Sequence, residues 1–177
     1  DLYAIYVLKE CSTHVNAGAV FINGNSGDFI SGLHIPKSIH CLAGKSLDTG
    51  EIKKVAEAYI DKHFSLWQDE FSEKHKLRLS THIFDQLIEV SGGSKELVNL
   101  TSFESLEWRQ RQTKFVVSGQ RVYDFYGFDW RLPLWEKPIF EFFKTVPLEL
   151  KFDQFLYRQT LVKNNWGGVW SDIPINE

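Results

Sequence analysis

The chain has 177 residues, of which 43% are hydrophobic and 15% aromatic, and its net charge is −3. This content supports a buried core within the size of one domain and excludes global disorder. The charge excludes the basic footprint of a nucleic-acid binder, and no apolar run approaches the roughly 20 residues that a membrane span requires. With two cysteines, Cys11 and Cys41, and no export signal, the sequence predicts a cytoplasmic protein.

The first predicted element is a helix already under way at residue 1. Leu2, Ile5 and Leu8 follow helical spacing without a preceding cap, and the chain contains no methionine. Both observations predict a segment of a longer protein. The apolar run GAVFI, residues 18–22, then predicts a buried strand. Because one strand cannot satisfy its own edges, we expect its partner strands to lie outside this chain.

Small residues dominate the segment after this strand. Residues 23–28 read NGNSGD, a composition that tolerates tight turns. A strand followed by small residues and an acid is how α/β proteins present backbone amides and a carboxylate to a phosphate or its Mg²⁺. Asp28 is then the natural metal ligand. The alternative is an ordinary strand-exit turn in which Asp28 is a cap, and the residues alone leave both interpretations open.

From Glu51 onward the pattern is helical. Apolar residues recur at spacings of three and four, and further helices are predicted over 64–75, 81–90, 95–112 and 114–126. Ser80 and Ser94 are their predicted N-caps. Pro138 suits the first turn of a helix that ends near Thr145, and a last helix is predicted over 152–162. The sequence predicts one domain over residues 1–177, an α/β fragment that is predominantly helical with few strands.

Three stretches resemble, in the same order, the synthetase domain of asparagine synthetases and β-lactam synthetase. Residues 23–32, NGNSGDFISG, resemble the second signature of that family, with Gly24, Asp28 and Gly32 in register. Residues 131–142, RLPLWEKPIFEF, and residues 147–151, PLELK, are similar to its later segments, and Arg121 falls where the family has another arginine. Lys163, which precedes Trp166-Gly167-Gly168, resembles the lysine of its C-terminal loop.

The resemblance implies the C-terminal part of an adenine-nucleotide α-hydrolase-like (PP-loop) domain. Such a domain belongs to an ATP-dependent amide-forming ligase that adenylates a carboxylate, which ammonia drawn from glutamine then attacks. Gly24, Asn25, Ser26 and Gly27 would contact the ATP pyrophosphate, Asp28 would bind Mg²⁺, and Lys163 would be catalytic. The family's nucleotide loop and glutaminase domain would precede residue 1, so this chain alone would be inactive.

Two departures from the family bear on the substrate. Asn25 occupies the position of a glutamate, and Phe29 replaces the second acid of the signature. Since that glutamate takes part in catalysis in asparagine synthetases, aspartate is a poor expectation for the acceptor. The sequence of residues 30–36 is similar to that of the family branch found with bacterial surface-polysaccharide (lipopolysaccharide) synthesis. This similarity favours a sugar-linked acid as the acceptor.

Rival interpretations come from other classes. A non-catalytic helical scaffold or partner-binding module is favoured by Asn25. A small zinc-binding protein would use His34, His40 and Cys41, although their spacing is unlike that of common zinc sites. Residues 91–96, SGGSKE, imitate a nucleotide loop but carry a lysine where an acid is required, so a turn between helices is expected there.

Two expectations complete the sequence analysis. Arg131 and Glu136 are predicted to form a structural ion pair that orders their loop. Strand edges that lack partners would favour self-association into a homo-oligomer.

Overall fold

The computed structural model describes residues 2–16 and 18–170, which are predominantly helical with two short strands. A helical fragment with few strands was predicted, and at this level the prediction is confirmed. In chain order the elements are α1 (Leu2–Cys11), β1 (Val20–Ile22), α2 (Gly27–Ile30), α3 (Thr49–Phe64), α4 (Glu73–Val90), α5 (Thr101–Glu107), a π-helix (Trp108–Val117), α6 (Arg121–Phe125), β2 (Asp129–Arg131), α7 (Lys137–Thr145), α8 (Leu148–Lys151) and α9 (Phe155–Asn164). None of the helices in the described ranges is long and apolar enough to cross a membrane.

The chain divides into two compact units, each assembled from two separate stretches. The strand unit comprises the chain up to Gly27 together with Glu107–Lys144, and the helical unit comprises Asp28–Leu106 together with the chain from Thr145. The expectation of one domain over residues 1–177 stays a prediction.

The strand unit contains a parallel pair of strands. β1 and β2 run side by side with Val20 opposite Asp129 and Ile22 opposite Arg131. Phe21 lies between Val20 and Ile22 in β1, and its ring stacks on that of Tyr123 with 4.6 Å between the ring centroids. The expectation that every partner strand lies outside the chain is therefore wrong. β2 was missed because its sequence, DWR, has charged residues at both ends and does not resemble a buried strand.

A π-helix occupies the middle of the strand unit. Residues 108–117 adopt the wider helix, and the hydroxyl of Thr113 donates to the carbonyl of Trp108, five residues earlier, at 2.8 Å. A π-helix of ten residues is uncommon, since most are single turns within α-helices, and such segments are frequent at functional sites. The uniform helices predicted over 95–112 and 114–126 are accordingly divided into shorter pieces of different winding.

The core of the helical unit lies around α3 and α4. Val55 and Leu87 on these helices pack with Val98 and Phe103, and all four are fully buried. Asp48 begins α3 with a reciprocal capping box, in which its carboxylate accepts from the backbone N–H of Glu51 at 2.8 Å.

The predicted caps differ from the observed ones. Ser72 caps α4, whereas Ser80 lies within the helix, so the Ser80 prediction is wrong. Ser94 precedes a short 3₁₀ turn and makes no capping hydrogen bond, although the turn between helices expected at residues 91–94 is present. The helix from Pro138 to Thr145 is confirmed within one residue, and the last helix begins three residues later than predicted.

In the helical unit, Gly32, four residues after Asp28, packs against α8. Gly32 has φ +100°, and a Cβ added there would lie 2.7 Å from the Cβ of Lys151 and closer still to its carbonyl oxygen. The amide of Gln154 donates to the hydroxyl of Ser31 at 2.6 Å. Lys151 itself is buried and forms an ion pair with Glu104. Residues 23–32 and 147–151, two stretches on which the predicted family resemblance rests, are thus in contact through Gly32 and Lys151.

Candidate functional site

The loop after β1 is fixed to the rest of the strand unit at its first residue. The backbone N–H of Asn23 donates to the carbonyl of Arg131 at 3.1 Å and continues the ladder between the strands. The side-chain amide of Asn23 donates to the side-chain carbonyl of Gln120 at 2.7 Å. The loop therefore leaves the carboxyl end of a parallel strand pair, where α/β proteins place their ligands.

Ser26 is the buried anchor of this loop. Its side chain is 3% exposed, and its φ of +69° lies in the left-handed region. The hydroxyl donates to the side-chain carbonyl of Gln112 at 2.6 Å and accepts from the indole N–H of Trp135 at 2.9 Å. These two bonds hold the Ser26 hydroxyl inside the strand unit.

Gln112 connects the loop to a buried carboxylate. The residue lies in the π-helix, is 1% exposed, and its amide nitrogen is 3.5 Å from a carboxylate oxygen of Glu107, which is fully buried. The ring of Trp135, whose indole bonds Ser26, stacks on Trp108 at 4.0 Å between centroids. Each member has a polar partner, as buried polar groups require.

The loop presents unused backbone donors. In the described part of the chain, the N–H groups of Gly24, Asn25 and Ser26 donate to no acceptor. A Cβ added at Gly24 would have no atom within 4 Å, so this residue borders open space. Successive free amides beside a left-handed residue are the arrangement that binds anions in backbone nests. By contrast, a Cβ at Gly27 would lie 2.7 Å from Leu134, so Gly27 faces protein.

A cleft of about 710 Å³ opens beside the loop in the strand unit. Asn23 and Asn25 from the loop line it together with Gln120 and Arg121, and apolar residues complete its wall: Ile5, Phe115, Val116, Gly119, Val122, Tyr123 and Phe125. The volume suits a small organic molecule. Arg121 is exposed, and its guanidinium forms no ion pair within residues 2–16 and 18–170.

Asp28, the predicted metal ligand, lies in the first turn of α2. Its side chain is 53% exposed, and one carboxylate oxygen is 3.0 Å from Nε2 of His34. The hydrogen bond from His34 lowers the pKa of Asp28, although partial burial opposes the shift. The carboxylate is therefore ionised at neutral pH, and its side chain is about half exposed. Its Oδ1 accepts from the N–H of the next residue, Phe29, at 2.9 Å. An N-cap bonds an N–H two or three residues further on, so this bond does not establish Asp28 as a cap.

Lys163, the predicted catalytic residue, lies near the end of α9. Its side chain is exposed, and it forms no ion pair with Asp28 or with another residue that the structure describes. The two residues belong to the same unit but are not brought into contact. Trp166 to Gly168 follow as a 3₁₀ turn. The catalytic assignment of Lys163 stays a prediction.

The structure describes no preformed metal site. Among the described residues, no group of three or more His, Cys, Asp or Glu side chains could hold a metal ion. His40 instead stacks on Phe152 at 3.8 Å and lies 3.1 Å from the carbonyl of Ile35, and Cys41 is exposed. The zinc-binding alternative, which needs His34, His40 and Cys41 together, receives no support.

Sequence reasoning missed several residues around the loop. Gln112 and Gln120, which hold Ser26 and Asn23, belong to no motif and could only be found from the tertiary structure. The predicted ion pair between Arg131 and Glu136 is wrong. Both side chains are exposed, and Arg131 donates instead to the carbonyl of Trp130 at 2.7 Å.

Comparison with known proteins does not identify this chain. No protein-family model, no curated protein and no solved structure matches it.

Proposed function

We propose that this chain forms part of an ATP-dependent amide-forming ligase, in which residues 24–28 bind Mg²⁺ and the pyrophosphate of ATP. The observation that carries the proposal is the order of chemical groups along residues 24–28. Two unused backbone N–H groups, at exposed Gly24 and half-buried Asn25, are followed within four residues by the ionised carboxylate of Asp28. The amides complement phosphate oxygens, and the carboxylate complements the cation that accompanies them.

The residues fit a magnesium ion of the kind that arrives with a nucleotide. Mg²⁺ keeps several waters and is commonly bound by one or two carboxylates together with substrate phosphates. A single exposed acid, Asp28, therefore suffices, whereas a zinc or calcium site would need more protein ligands. The ion would neutralise charge on the pyrophosphate, and the chain would contribute the position of Asp28 and of the loop amides.

Contacts within each unit support the family resemblance on which the reaction type rests. In the strand unit, Ser26 of the first stretch is bonded to Trp135 of the second. In the helical unit, Gly32 of the first stretch packs on Lys151 of the second. Residues from separate similar stretches therefore contact each other in both units, which independent chance matches would not require.

The remaining roles follow from the proposed reaction. A carboxylate substrate, with a sugar-linked acid favoured over aspartate, would be adenylated, and ammonia from glutamine would displace AMP. Lys163 would stabilise negative charge in the intermediate, a task that suits a compact cation. The PP-loop fold, the cytoplasmic location, the role in surface-polysaccharide synthesis and the homo-oligomeric state belong to this proposal.

The test is titration calorimetry of pyrophosphate into the chain with and without Mg²⁺. We expect magnesium to strengthen binding, and Asp28→Asn to remove that gain while the loop amides retain weak affinity for the anion alone. Asp85→Asn is the matched control, since Asp85 is an exposed acid on α4. Equal magnesium dependence in the wild type and in Asp28→Asn would remove Asp28 from the site.

A second candidate function is a partner-binding module that has lost the chemistry. Two observations favour it. Asn25 is neutral where the resembled signature has an acid, and the turn after α3 exposes two large apolar side chains, Leu66 at 92% and Trp67 at 60%. Failure of pyrophosphate and Mg²⁺ to bind a protein that includes the upstream nucleotide loop would favour this candidate over the ligase.

A further inference from the structure

The cleft of the strand unit has an unusual balance of charge. Among the described residues that line it, Arg121 is the one that carries a charge, and none is Asp or Glu. The nearest acid along α6, Asp124, does not line the cleft, and its carboxylate accepts from the indole N–H of Trp130 at 3.0 Å. Within the described part of the chain, a ligand in the cleft therefore meets one fixed positive charge and no compensating negative one.

The polar groups around Arg121 are neutral amides with free capacity. The side chain of Asn25 makes no hydrogen bond within the described residues. Asn23 uses its N–H₂ group toward Gln120, which leaves its carbonyl oxygen available. These amides can bond hydroxyl or carbonyl groups but contribute no charge that would balance an ammonium.

Three aromatic side chains give the cleft an apolar wall. Phe115 is 54% exposed and Phe125 is 81% exposed, and Tyr123 also lines the cleft. Aromatic faces of this kind pack against the rings or carbon skeletons of small ligands. The cleft thus combines an anion-binding end with an apolar wall, within a volume that holds a ligand of roughly drug-like size.

We propose that this cleft binds a carboxylic acid with a neutral ring-sized body and rejects acids that carry an ammonium group. Arg121 binds the carboxylate through its planar guanidinium, the amides of Asn23 and Asn25 bond polar groups of the body, and the aromatic residues cover it. An α-amino acid places its ammonium within a few ångströms of Arg121 with no carboxylate of the protein to pair it. The cleft therefore selects against free amino acids.

This inference rests on the proposed function for its place in the reaction. If the chain is part of an amide-forming ligase, the cleft is where the acceptor carboxylate binds, next to the loop that binds pyrophosphate. Because Asn25 lines the cleft, its neutral side chain also sets the choice of acceptor. An acid at this position would supply the missing partner for an ammonium.

The experiment compares three probes that share the 3-phenylpropanoyl skeleton and differ in their charged groups: 3-phenylpropionate, L-phenylalanine and 3-phenylpropanamide. Binding to the ¹⁵N-labelled chain is followed through the amide signals of Asn25 and Gly119, which border the cleft. We expect 3-phenylpropionate to bind about two- to fivefold more tightly than either other probe, the range for an exposed charge pair. Equal affinity for 3-phenylpropionate and L-phenylalanine would overturn the inference.

Variants assign the effect to the cleft. Arg121→Gln is expected to lose the preference for 3-phenylpropionate over the amide, whereas Arg121→Lys keeps part of it. Arg158→Gln, at an exposed arginine on α9, should behave as the wild type. Asn25→Asp is expected to reduce or reverse the discrimination against L-phenylalanine. Unchanged preference in both Arg121→Gln and Asn25→Asp would place the binding elsewhere and contradict the proposal, provided that thermal melts show both variants folded.

These probes are titrated without Mg²⁺ or pyrophosphate, so the outcome is separate from that of the Asp28 experiment. Selective carboxylate binding alongside an unaltered Asp28→Asn variant would leave the cleft as a binding site and remove the ligase assignment. Magnesium-dependent pyrophosphate binding without carboxylate selectivity would retain the ligase and remove the acceptor site.

Discussion

Gly32 and Lys151 approach so closely that the carbonyl of Lys151 occupies the space in which a side chain at position 32 would begin. The contact joins the segment after Asp28 to α8 within the helical unit. Its backbone conformation, with φ +100°, is also one that residues with a Cβ rarely adopt. Two independent requirements, steric and conformational, therefore select glycine at this position.

Substitution of Gly32 should be among the most destabilising single changes in this chain. We expect Gly32→Ala to lower the free energy of unfolding by about 3 kcal/mol, from the positive φ and from overpacking against Lys151. Gly93→Ala is the control, because Gly93 has φ +83° but no atom within 4 Å of an added Cβ. That variant should lose only about 1 kcal/mol. Urea unfolding measures both values, and equal losses would show that the Lys151 contact is unimportant.

The buried ion pair of Lys151 and Glu104 should make stability depend on pH. Burial raises the pKa of Glu104, and nearby Lys151 opposes that shift. The folded state then holds the Glu104 proton to higher pH than the unfolded chain, whose value is near 4.5. Stability from this group is therefore present below pH 4.5 and is lost as pH rises through the folded pKa.

Removal of Lys151 should make that dependence steeper. Lys151→Met leaves a buried carboxylate without its cation, so we expect a loss of about 3–5 kcal/mol at pH 7 that shrinks toward pH 4. The double variant Glu104→Leu/Lys151→Met should recover most of the loss, because no charge stays buried. Urea unfolding between pH 4 and 8 tests this, and a pH-independent loss in Lys151→Met would contradict the explanation.

His34 should control the ionisation of Asp28. The hydrogen bond between them lowers the pKa of Asp28, so His34→Gln is expected to raise that pKa toward the ordinary value of 3.8. Carbon-13 NMR of the Asp28 carboxyl group measures the shift directly. Because the folded pKa is lowered, the stability that Asp28 contributes is present above pH 3.8 and is lost as pH falls through the folded value. Because the Asp28 side chain is about half exposed, the change that His34→Gln makes in the free energy of unfolding at pH 7 should stay below about 1 kcal/mol.

Gln112 should hold the loop through Ser26. Gln112→Leu removes a hydrogen-bond partner from Ser26 and from the buried Glu107, and we expect a loss of about 2–3 kcal/mol. Tryptophan emission should shift as well, since Trp135 donates to the same Ser26 hydroxyl. Gln110→Leu, in the same helix but bonded to exposed Lys114, should change stability by less than about 0.5 kcal/mol. Similar losses in the two variants would show that burial of Gln112 confers no special role.

Local patterns predicted the elements whose residues determine their own conformation. The α3 periodicity and the proline at the start of α7 were read correctly because burial and capping leave a direct mark on sequence. The apolar run of residues 18–22 predicted the strand β1, but the prediction that this strand is buried is wrong, since Val20 is 44% exposed and Ile22 is 71% exposed. β2 left no such mark. Its pairing with β1 depends on a partner more than one hundred residues away, which no local window contains.

The candidate site was predictable in its backbone but not in its support. The composition of residues 23–28 indicated a loop with available amides, and Asp28 was identified as its carboxylate. The glutamines that hold the loop were invisible, because a buried glutamine has the same letter as an exposed one. Likewise, the winding of residues 108–117 as a π-helix brings Gln112 inward, and helix propensity does not report winding.

The long separation of the paired strands β1 and β2 along the chain has a consequence for synthesis on the ribosome. At roughly 5–20 residues per second, Val20–Ile22 emerge about 5–20 s before Asp129–Arg131, since the two strands are separated by more than one hundred residues. During that interval the nascent chain displays an unpaired apolar strand, of which Ile22 stays 71% exposed even after folding. A chaperone or a neighbouring chain on the same polysome could bind this segment before Asp129–Arg131 are synthesised. Slower translation of residues 23–128 should therefore lower the yield of native protein.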